Sequence, residues 1–294
     1  MPITKAIIAA AGRGTRFLPV VKAYPKELIP LLSKPNIQLL IEEAIGAGIT
    51  DIMIVQRQGE TAIERYFTPD VKLEKYLSET NKTPYLDSLK RIWSQAKIHF
   101  TFQSSDLPYG NASPLLASRE FIGQESFVYM FGDDLTVEPT PGQYLKELIN
   151  TYDKYQPAVL LGGQYVPWEE INRYGSMKFI EDKKYPQRVT AVLEKMEPNQ
   201  APSNFAQGGR FVVSGAKIFP VLDKQRLSRD NELWFADANN TLAQTDVVMA
   251  QEIKDGTWLT TGDPLRWLKA NIALALQDPD IGPSIKDYLK SLHI

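Results

Sequence analysis

Residues 6–35 read AIIAAAGRGTRFLPVVKAYPKELIPLLSKP, and this stretch decides the fold of the chain. It begins with an apolar run, residues 6–10, that predicts a buried β-strand. Two glycines, Gly12 and Gly14, follow the strand, together with cations at positions 13, 16, 22 and 26. Glycine lets backbone amides approach a ligand closely, and amides together with cations bind phosphate. The stretch therefore predicts a strand that leads into a phosphate-binding loop.

Two common phosphate-binding motifs do not match this loop. A dinucleotide fingerprint requires a third Gly or Ala where Phe17 lies, and an acidic residue at the end of the second strand, which the chain lacks. A Walker A loop requires Gly-Lys followed by Ser or Thr, which is also missing here. A plain glycine turn with surface cations would account for Gly12 and Gly14. It would not account for Lys22 and Lys26, which are spaced around a proline.

The composition is that of a globular protein with a nearly neutral charge. The 294 residues are 43% hydrophobic and 23% charged, and the formal net charge is -2. This balance gives no support for non-specific binding of nucleic acid or of an anionic membrane. No stretch approaches the ~20 apolar residues of a membrane span, and the N-terminal apolar run is too short for a signal peptide. We therefore expect a cytoplasmic protein with no nucleic-acid or membrane partner.

Cysteine and histidine limit the possible chemistry. The chain has no cysteine, which excludes disulfides, thiolate nucleophiles and cysteine-based zinc sites. It has two histidines, His99 beside an apolar strand and His293 near the C-terminus. We interpret His99 as a strand histidine, because it lies between the apolar residues Ile98 and Phe100, and we do not expect chemistry that depends on a histidine base or metal ligand. The groups that remain available for catalysis or ligand binding are carboxylates, cations and backbone amides.

The order of the first elements indicates an α/β fold. Residues 37–48 have apolar residues at helical spacing and end on glycine, and residues 51–56 form a second apolar strand. Strand, loop, helix and strand in this order are a βαβ unit, which implies a parallel sheet. Further elements of this sheet are predicted as strands at 98–103, 127–131 and 158–163 and as helices at 113–118 and 143–155.

Two regions interrupt or extend that pattern. Residues 60–96 are rich in charge and have helical spacing, which predicts a helical insertion. From about residue 165 the strands become shorter and predict a smaller mixed or antiparallel layer, followed by C-terminal helices. No internal repeat or low-complexity linker divides the chain. We therefore expect a single domain over residues 1–294, of the α/β class, with a mostly parallel central sheet flanked by helices.

Two carboxylates follow the strand at 127–131, in the sequence Gly132-Asp133-Asp134. Ligands of open α/β sheets bind just outside the carboxyl ends of the parallel strands. Carboxylates without histidine or cysteine suit a hard cation such as Mg²⁺, which bridges to substrate phosphates. Together with the loop after the first strand, this turn predicts a site for a magnesium nucleotide.

Several motifs, in order along nearly the whole chain, resemble those of the bacterial UTP–glucose-1-phosphate uridylyltransferases, in the sugar-nucleotide nucleotidyltransferase family. The opening stretch is similar to the family pattern GxGTRxLPxTKxxPKExLPxxxKPxIQ. Other matching segments are QSSDLPYGNA (103–112), GDD (132–134), YG (174–175), LEK (193–195), APSNFAQGGRFVVS (201–214) and NELWFADA (231–238). The resemblance implies a Rossmann-like nucleotidyltransferase fold.

The resemblance also implies a role for each matching residue. The catalytic set would be Arg16 and Lys26, which hold the triphosphate, Asp133, which carries Mg²⁺, and Lys195. The nucleotide would contact Ala10, Ala11, Gly12, Gly14, Thr15, Glu27, Gln103 and Gly110. The sugar phosphate would contact Gly175, Glu194, Lys195 and Gly209. The implied reaction joins UTP and glucose 1-phosphate into UDP-glucose and pyrophosphate, and the family implies a homo-oligomer, a dimer or a tetramer.

The chain departs from the family pattern at positions that bear on these roles. The base-side turn has Pro108 and Asn111 in place of Gly and His, and Val21 replaces Thr in the opening stretch. Near the sugar, Trp234 and Ala236 replace Gln and Thr. In the C-terminal segment that contains Thr260, Arg266-Trp267 replaces a Gly-Tyr pair. Thr260 lies where the family has an Asp that contributes to metal binding. Either Asp133 then binds the metal with phosphate and water ligands alone, or Asp134 or Asp263 takes that role. Two alternatives stay open: another base or sugar, such as dTTP, and a homologue that binds sugar nucleotides without turnover.

Overall fold

The computed structural model describes residues 2–228 and 231–292. Its strands are β1 (Lys5–Ala10), β2 (Pro30–Leu31), β3 (Lys34–Pro35), β4 (Asp51–Arg57), β5 (Lys97–Gln103), β6 (Ser126–Phe131), β7 (Asp134–Val137), β8 (Val159–Tyr165), β9 (Gly175–Ile180), β10 (Arg188–Glu194), β11 (Phe205–Ser214), β12 (Val248–Glu252) and β13 (Thr257–Thr260). Its α-helices are α1 (Asn36–Gly46), α2 (Ala62–Phe67), α3 (Val71–Glu79), α4 (Thr83–Ser94), α5 (Ser113–Ala117), α6 (Arg119–Ile122), α7 (Gln143–Tyr155), α8 (Gly215–Leu222), α9 (Phe235–Thr245), α10 (Pro264–Gln277) and α11 (Gly282–Ser291).

A nine-stranded mixed sheet forms the centre, in the order β5-β4-β1-β6-β11-β8-β12-β10-β9. The four strands from β5 to β6 are parallel to one another, as the βαβ pattern predicts. Strand β8 is parallel to β12, and β11 runs antiparallel to both of its neighbours. The α/β fold class, with a mixed sheet and flanking helices, is thereby confirmed.

Helices cover both faces of the sheet because successive strand residues point to opposite sides. Ile8 and its same-face neighbours pack against α1, α2 and α7, whereas Ile7 packs with α5, α8 and α9 in a second core cluster. Helix α1 forms where Ile37, Leu40 and Ile41 recur at helical spacing, and all three side chains are fully buried. The chain turns after α1 at Gly48, whose φ of 94° favours glycine.

The later strands differ from the expected separate layer, because they continue the main sheet. Strand β11 spans ten residues and pairs with β6 and β8 along its length. Its register to β8 shifts between Gln207 and Phe211, across two glycines, and its first half also meets β9 at Ala206. An irregularity of this kind bends a strand and increases its twist. The bend lets the antiparallel strands β9 and β10 join the sheet edge. Organisation as a single domain stays a prediction.

Smaller elements complete the predicted pattern. Helices α2, α3 and α4 form the helical insertion between β4 and β5. The predicted C-terminal helices are α10 and α11, and the strand before them, β13, pairs with β7 so that Thr260 lies opposite Asp134. His99 is a strand residue in β5, 3.7 Å from the Asp51 carboxylate, and His293 lies outside the described residues. Among the described helices, none has the length and apolar character needed to cross a membrane.

Candidate active site

Two adjoining cavities lie at the carboxyl ends of β1 and β6. The larger cavity has a volume of about 500 Å³, and its lining includes Arg16, Gly175, Glu194 and Lys195. The smaller cavity has a volume of about 290 Å³, and its lining includes Ala11, Gly12, Lys26, Glu27, Gln103 and Gly110. Most of the predicted sugar-phosphate contacts therefore lie in one cavity and most of the predicted nucleotide contacts in the other, while Arg16, predicted to hold the triphosphate, lines the sugar-side cavity.

Asp133 lies where the two cavities meet, and it lines both. Its oxygen Oδ2 accepts a hydrogen bond from Lys26 Nζ at 2.6 Å. Burial alone would lower the pKa of Lys26, but the Asp133 charge, and after it Glu27, raises that pKa above its ordinary value. Burial likewise opposes ionisation of Asp133, yet Lys26 holds the pKa of Asp133 below its ordinary value. Both groups are therefore charged at neutral pH and form a partly buried ion pair at the cavity boundary.

The turn that carries Asp133 is fixed by hydrogen bonds from two sides. Thr261 donates from its backbone N (2.6 Å) and its Oγ1 (3.0 Å) to the Asp133 carbonyl. Asn36 Nδ2 donates to the Gly132 carbonyl at 2.7 Å. A Cβ on Gly132 would come within 2.3 Å of the Ala9 carbonyl, so glycine is required for the turn to lie against β1. The Asp133 carboxylate is therefore held in place before any ligand binds.

Asp134 lies behind Asp133, against the strand β11. Burial, and then repulsion by Asp133, raises the pKa of Asp134 to about 7. A Cβ on Gly209 would be 2.3 Å from Asp134 Oδ2, so Gly209 makes room for this carboxyl group. The structure therefore puts Gly209, a predicted sugar-phosphate contact, under Asp134 and away from the cavity lining.

The smaller cavity brings most of the predicted nucleotide contacts together. Glu27 is fully buried there, its carboxylate oxygens accept no hydrogen bond from the described residues, and burial raises its pKa to about 7. Gly110 has a φ of 134°, and a Cβ on it would be 2.3 Å from the Leu233 carbonyl. Gly110 thus fits its turn closely against the chain near Leu233. Gln103, at the end of β5, donates weakly to the Pro108 carbonyl at 3.4 Å.

The loop after β1 wraps around the Lys26 side chain. The amide and Cα of Gly12 face the Lys26 ammonium, since a Cβ there would be 3.6 Å from Nζ. Gly14 has a left-handed φ of 61° and packs on the Lys26 methylenes. Thr15 begins the short 3₁₀ turn Thr15–Phe17, which presents Arg16 to the larger cavity. Ala10 is buried at the end of β1, and neither it nor Gly14 or Thr15 lines a cavity.

The larger cavity brings together the ends of β9 and β10. Gly175 and Glu194 pair across the two strands, and a Cβ on Gly175 would be 3.1 Å from Glu194 Oε1. Lys195 follows β10 with a left-handed φ of 53°, and its backbone N donates to the Tyr174 carbonyl at 3.0 Å. This conformation, unusual for lysine, directs the residue toward the cavity. The site therefore combines cations from three separate segments around Asp133.

Comparison with known proteins agrees with this geometry. Residues 5–276 match the family model described as Nucleotidyl transferase. The chain belongs to the nucleotidyl transferase family. It is 36% identical over 290 residues to a UTP–glucose-1-phosphate uridylyltransferase of Bacillus subtilis, a match that covers 99% of this chain and 97% of the relative. It is 37% identical over 293 residues to UTP–glucose-1-phosphate uridylyltransferase 1 of Staphylococcus saprophyticus, which covers both chains completely.

Solved structures lead to the same family. A UTP-bound UGPase from Acinetobacter baumannii has a TM-score of 0.87 and 28% identity to this nucleotidyl transferase, with 99% of each chain covered. A UDP-glucose pyrophosphorylase complexed with UDP-glucose has a TM-score of 0.83 and 29% identity, over 94% of this chain and 100% of that structure. The resemblance inferred from the sequence motifs is therefore confirmed.

Some cavity residues of this nucleotidyl transferase were given no role in the predicted site, although Tyr174 belongs to a matching motif. Arg173, Tyr174, Trp258 and Arg266 all line the larger cavity. Arg266 forms an ion pair with Asp263, and its Nη2 has no hydrogen-bond partner among the described residues. Arg173 directly precedes the Tyr-Gly motif, which was a usable signal. Arg266 is one of the departures from the family pattern, but its place beside Trp258 in the cavity depends on the pairing of β13 with β7, which the local sequence does not reveal.

Nucleotidyl transferases of this family generally use a divalent metal, and the residues around Asp133 fit one. Within the described residues, no cluster of three or more Asp, Glu or His side chains is arranged to hold an ion. Asp133 supplies a carboxylate at the cavity boundary, and Thr260 supplies a hydroxyl in the larger cavity. One or two carboxylates with substrate phosphates and water are the usual ligands of Mg²⁺. This donor set suits an ion that binds together with a nucleotide.

Proposed function

We propose that the protein transfers a uridylyl group from UTP to glucose 1-phosphate, which yields UDP-glucose and pyrophosphate. One observation carries this proposal: Asp133 lies between a cavity that contains the phosphate loop and a cavity that contains Glu194 and Lys195. Two anionic substrates can thus meet at a single carboxylate. The names of relatives at 36–37% identity over the full chain support uridylyl transfer as the reaction.

The reaction needs alignment and charge neutralisation more than proton transfer. A phosphate oxygen of glucose 1-phosphate attacks the α-phosphorus of UTP, and a new P–O bond forms while the bond to the β-phosphate oxygen breaks. The electron pair of that bond leaves with pyrophosphate. The attacking oxygen is already anionic at neutral pH, so no general base is required. Bringing two anions together in line is the main task of the protein. The scarcity of histidine in the chain fits such a reaction.

The cations of the site have separate parts in this reaction. Lys26, in the smaller cavity with the glycine loop, would stabilise charge on the triphosphate. Arg16, in the larger cavity close to Asp133, would stabilise the departing pyrophosphate. Lys195 would bind the phosphate of the sugar. Glu194 would accept hydrogen bonds from the sugar hydroxyl groups, and Gly175 would lie beside them. Preorganised charges of this kind are worth ~10²–10³ in turnover each.

We propose Mg²⁺ as the divalent metal, with Asp133 as its protein ligand. When bound, Mg²⁺ would neutralise charge on the phosphates at the reacting centre. A second carboxylate is lacking at position 260, so we expect Thr260→Asp to bind Mg²⁺ more tightly in a calorimetric titration with UTP present. Thr257→Asp, at the exposed start of the same strand, is the matched control. Unchanged affinity in the Thr260 variant would contradict the assignment of this residue to the metal site.

A pyrophosphate-release assay tests the proposed reaction. Each of UTP, dTTP and the purine triphosphates is paired with several sugar 1-phosphates, with and without Mg²⁺. We expect release with UTP and glucose 1-phosphate in the presence of Mg²⁺. Faster release with dTTP or another sugar would assign the same chemistry to a different substrate. No release with any pair, although sugar nucleotides bind, would identify a binding protein without turnover. Because the reaction consumes a nucleoside triphosphate, we propose a cytoplasmic location, which cell fractionation tests.

A further inference from the structure

A short segment, Glu232–Phe235, begins at the lining of the smaller cavity and is held firmly by the turn opposite it. Leu233 N donates to the Tyr109 carbonyl at 2.7 Å, and the Leu233 carbonyl accepts from Ala112 N at 3.0 Å. Phe235 N donates to the Asn111 side-chain oxygen at 2.7 Å. These three hydrogen bonds hold the segment against the wall of the smaller cavity, much as a strand is held by its neighbour in a sheet. We call it the bridge segment.

One side chain of the bridge segment contacts a residue of each cavity. Trp234 Nε1 donates to Glu232 Oε2 at 3.0 Å, and Glu232 lines the smaller cavity. The Lys195 ammonium lies 5.7 Å from the centroid of the Trp234 ring, and Lys195 lines the larger cavity. Gln225 Nε2 donates to the Trp234 carbonyl at 2.8 Å and fixes the backbone of the residue from behind.

Lys195 needs such a contact because little else orients its ammonium group. Its side chain is exposed, and in the described part of the chain it belongs to none of the ion pairs. An exposed lysine is flexible, and fixing it on binding costs side-chain entropy. A cation over an indole face is attracted by the ring quadrupole at distances up to about 6 Å. The indole therefore restricts Lys195 without neutralising its charge.

We propose that Trp234 is a positioning residue that holds Lys195 ready for the sugar phosphate and holds Glu232 against the nucleotide. This inference rests on the proposed uridylyl transfer, and it adds a residue that sets the affinities of both substrates. Two atoms of the same side chain have separate tasks. The ring face acts on Lys195, and Nε1–H acts on Glu232, so substitutions can separate the two effects.

Steady-state kinetics of three variants test the proposal. Trp234→Leu removes the ring and the N–H, and we expect the KM for glucose 1-phosphate to rise two- to fivefold, the range of an exposed cation–π contact. Trp234→Phe keeps a ring face but has no N–H group. We expect its KM for glucose 1-phosphate to match that of the wild type. Its KM for UTP should be raised about two- to tenfold, as in Trp234→Leu, because one hydrogen bond is lost. In the Lys195→Met background, Trp234→Leu should leave the KM for glucose 1-phosphate unchanged.

Tyr76→Leu is the matched control, because Tyr76 in helix α3 carries an exposed Lys82 over its ring at 5.2 Å, outside both cavities. We expect this variant to change neither KM. A Trp234→Leu effect of the same size with and without Lys195 would overturn the proposal and leave Trp234 a structural role only. If Trp234→Leu fails to fold, judged by circular dichroism, Trp234→Gln replaces it.

Direct binding separates failure of this proposal from failure of the proposed function. Absence of pyrophosphate release by the wild-type protein would refute uridylyl transfer. Calorimetric affinity for glucose 1-phosphate would then still compare the wild type with the Trp234 and Lys195 variants. Equal affinity of the wild type and Trp234→Leu would overturn the positioning role, and a two- to fivefold loss that disappears in the Lys195→Met background would support it.

Discussion

Lys26 and Asp133 neutralise each other in the free protein. Substitution of Lys26 should therefore have two effects, on turnover and on metal binding, which are measured separately. Lys26→Ala removes a preorganised charge on the triphosphate, so we expect turnover to fall by ~100-fold or more. The same change leaves Asp133 unpaired, so we expect the free protein to bind Mn²⁺ more tightly, measured by electron paramagnetic resonance. Lys72→Ala, on the exposed face of α3, should alter neither quantity. Near-wild-type turnover in Lys26→Ala would contradict the triphosphate assignment.

Glu27 gives the free protein a dependence on pH of predictable sign. Burial raises its pKa to about 7, so the folded state holds a proton that the unfolded state loses near pH 4.5. The free energy of unfolding therefore falls as pH rises from 4.5 to 7 and changes no further above that. We expect Glu27→Gln to be more stable than the wild type by ~1–3 kcal/mol at pH 8 and nearly equal at pH 4, in urea unfolding. The control variant Glu79→Gln, at an exposed position, should show no such difference. If Glu27→Gln also showed none, Glu27 would be ionised in the folded protein without loss of stability, which would contradict the prediction.

At the scale of elements, a buried ion pair joins α1 to β11 beneath the Asp133 turn. Arg210 donates to both Glu43 oxygens, at 2.6 and 2.7 Å, and each residue is 2% exposed. Arg210 also donates to the Asp134 carbonyl at 2.9 Å and the Gly209 carbonyl at 3.0 Å. Four hydrogen bonds from one guanidinium therefore tie the helix, the strand and the catalytic turn together. Its charge remains buried if Glu43 is removed, and an unpaired buried charge is strongly destabilising.

We accordingly expect Glu43→Gln and Arg210→Met each to lower the free energy of unfolding by ~3–5 kcal/mol in urea. The double variant Glu43→Leu/Arg210→Met should regain part of that loss, since no unpaired charge is left. It should still have low activity because the Asp134 carbonyl lacks its donor. Arg119→Met, which breaks the exposed pair with Asp223, should cost ~1 kcal/mol or less. Losses of that small size in the Glu43 variant would show that the pair is not buried in solution.

Elements whose burial follows a local pattern were predictable from the sequence, and elements joined by distant pairing were not. Ile37, Leu40 and Ile41 mark α1 because helical spacing alone brings them to one face. The bend of β11 depends on Gly208 and Gly209 meeting strands from both halves of the chain, which no local window contains. The residues of the site differ in the same way in how far the sequence predicts them. The motif residues around the phosphate loop and Asp133 were found, whereas Trp258 and Arg266 depend on the β7–β13 pairing.

At the scale of the whole molecule, helix α10 is apolar on two opposite faces. Its inner face packs Trp267, Ala270 and Leu274 against a small core cluster with Leu31 and Leu135. Its outer face carries Leu265, Leu268 and Leu276, which are 59%, 49% and 44% exposed. An exposed apolar face on a helix is normally covered by other protein. The outer face of α10 is therefore suited to contact with another protein surface.

We expect this face to be covered by a second copy of the chain in a homo-oligomer, as the family resemblance predicts. Light scattering after size exclusion should give a mass of at least twice the 33.2 kDa of one chain. Leu268→Asp/Leu276→Asp would bury charge in that interface and should shift the mass toward the monomer. Val71→Asp/Tyr85→Asp, which places charges on still more exposed apolar positions of the helical insertion, should leave the mass unchanged. A monomeric wild type would contradict the oligomer, and dissociation by the control pair alone would locate the contact on the helical insertion.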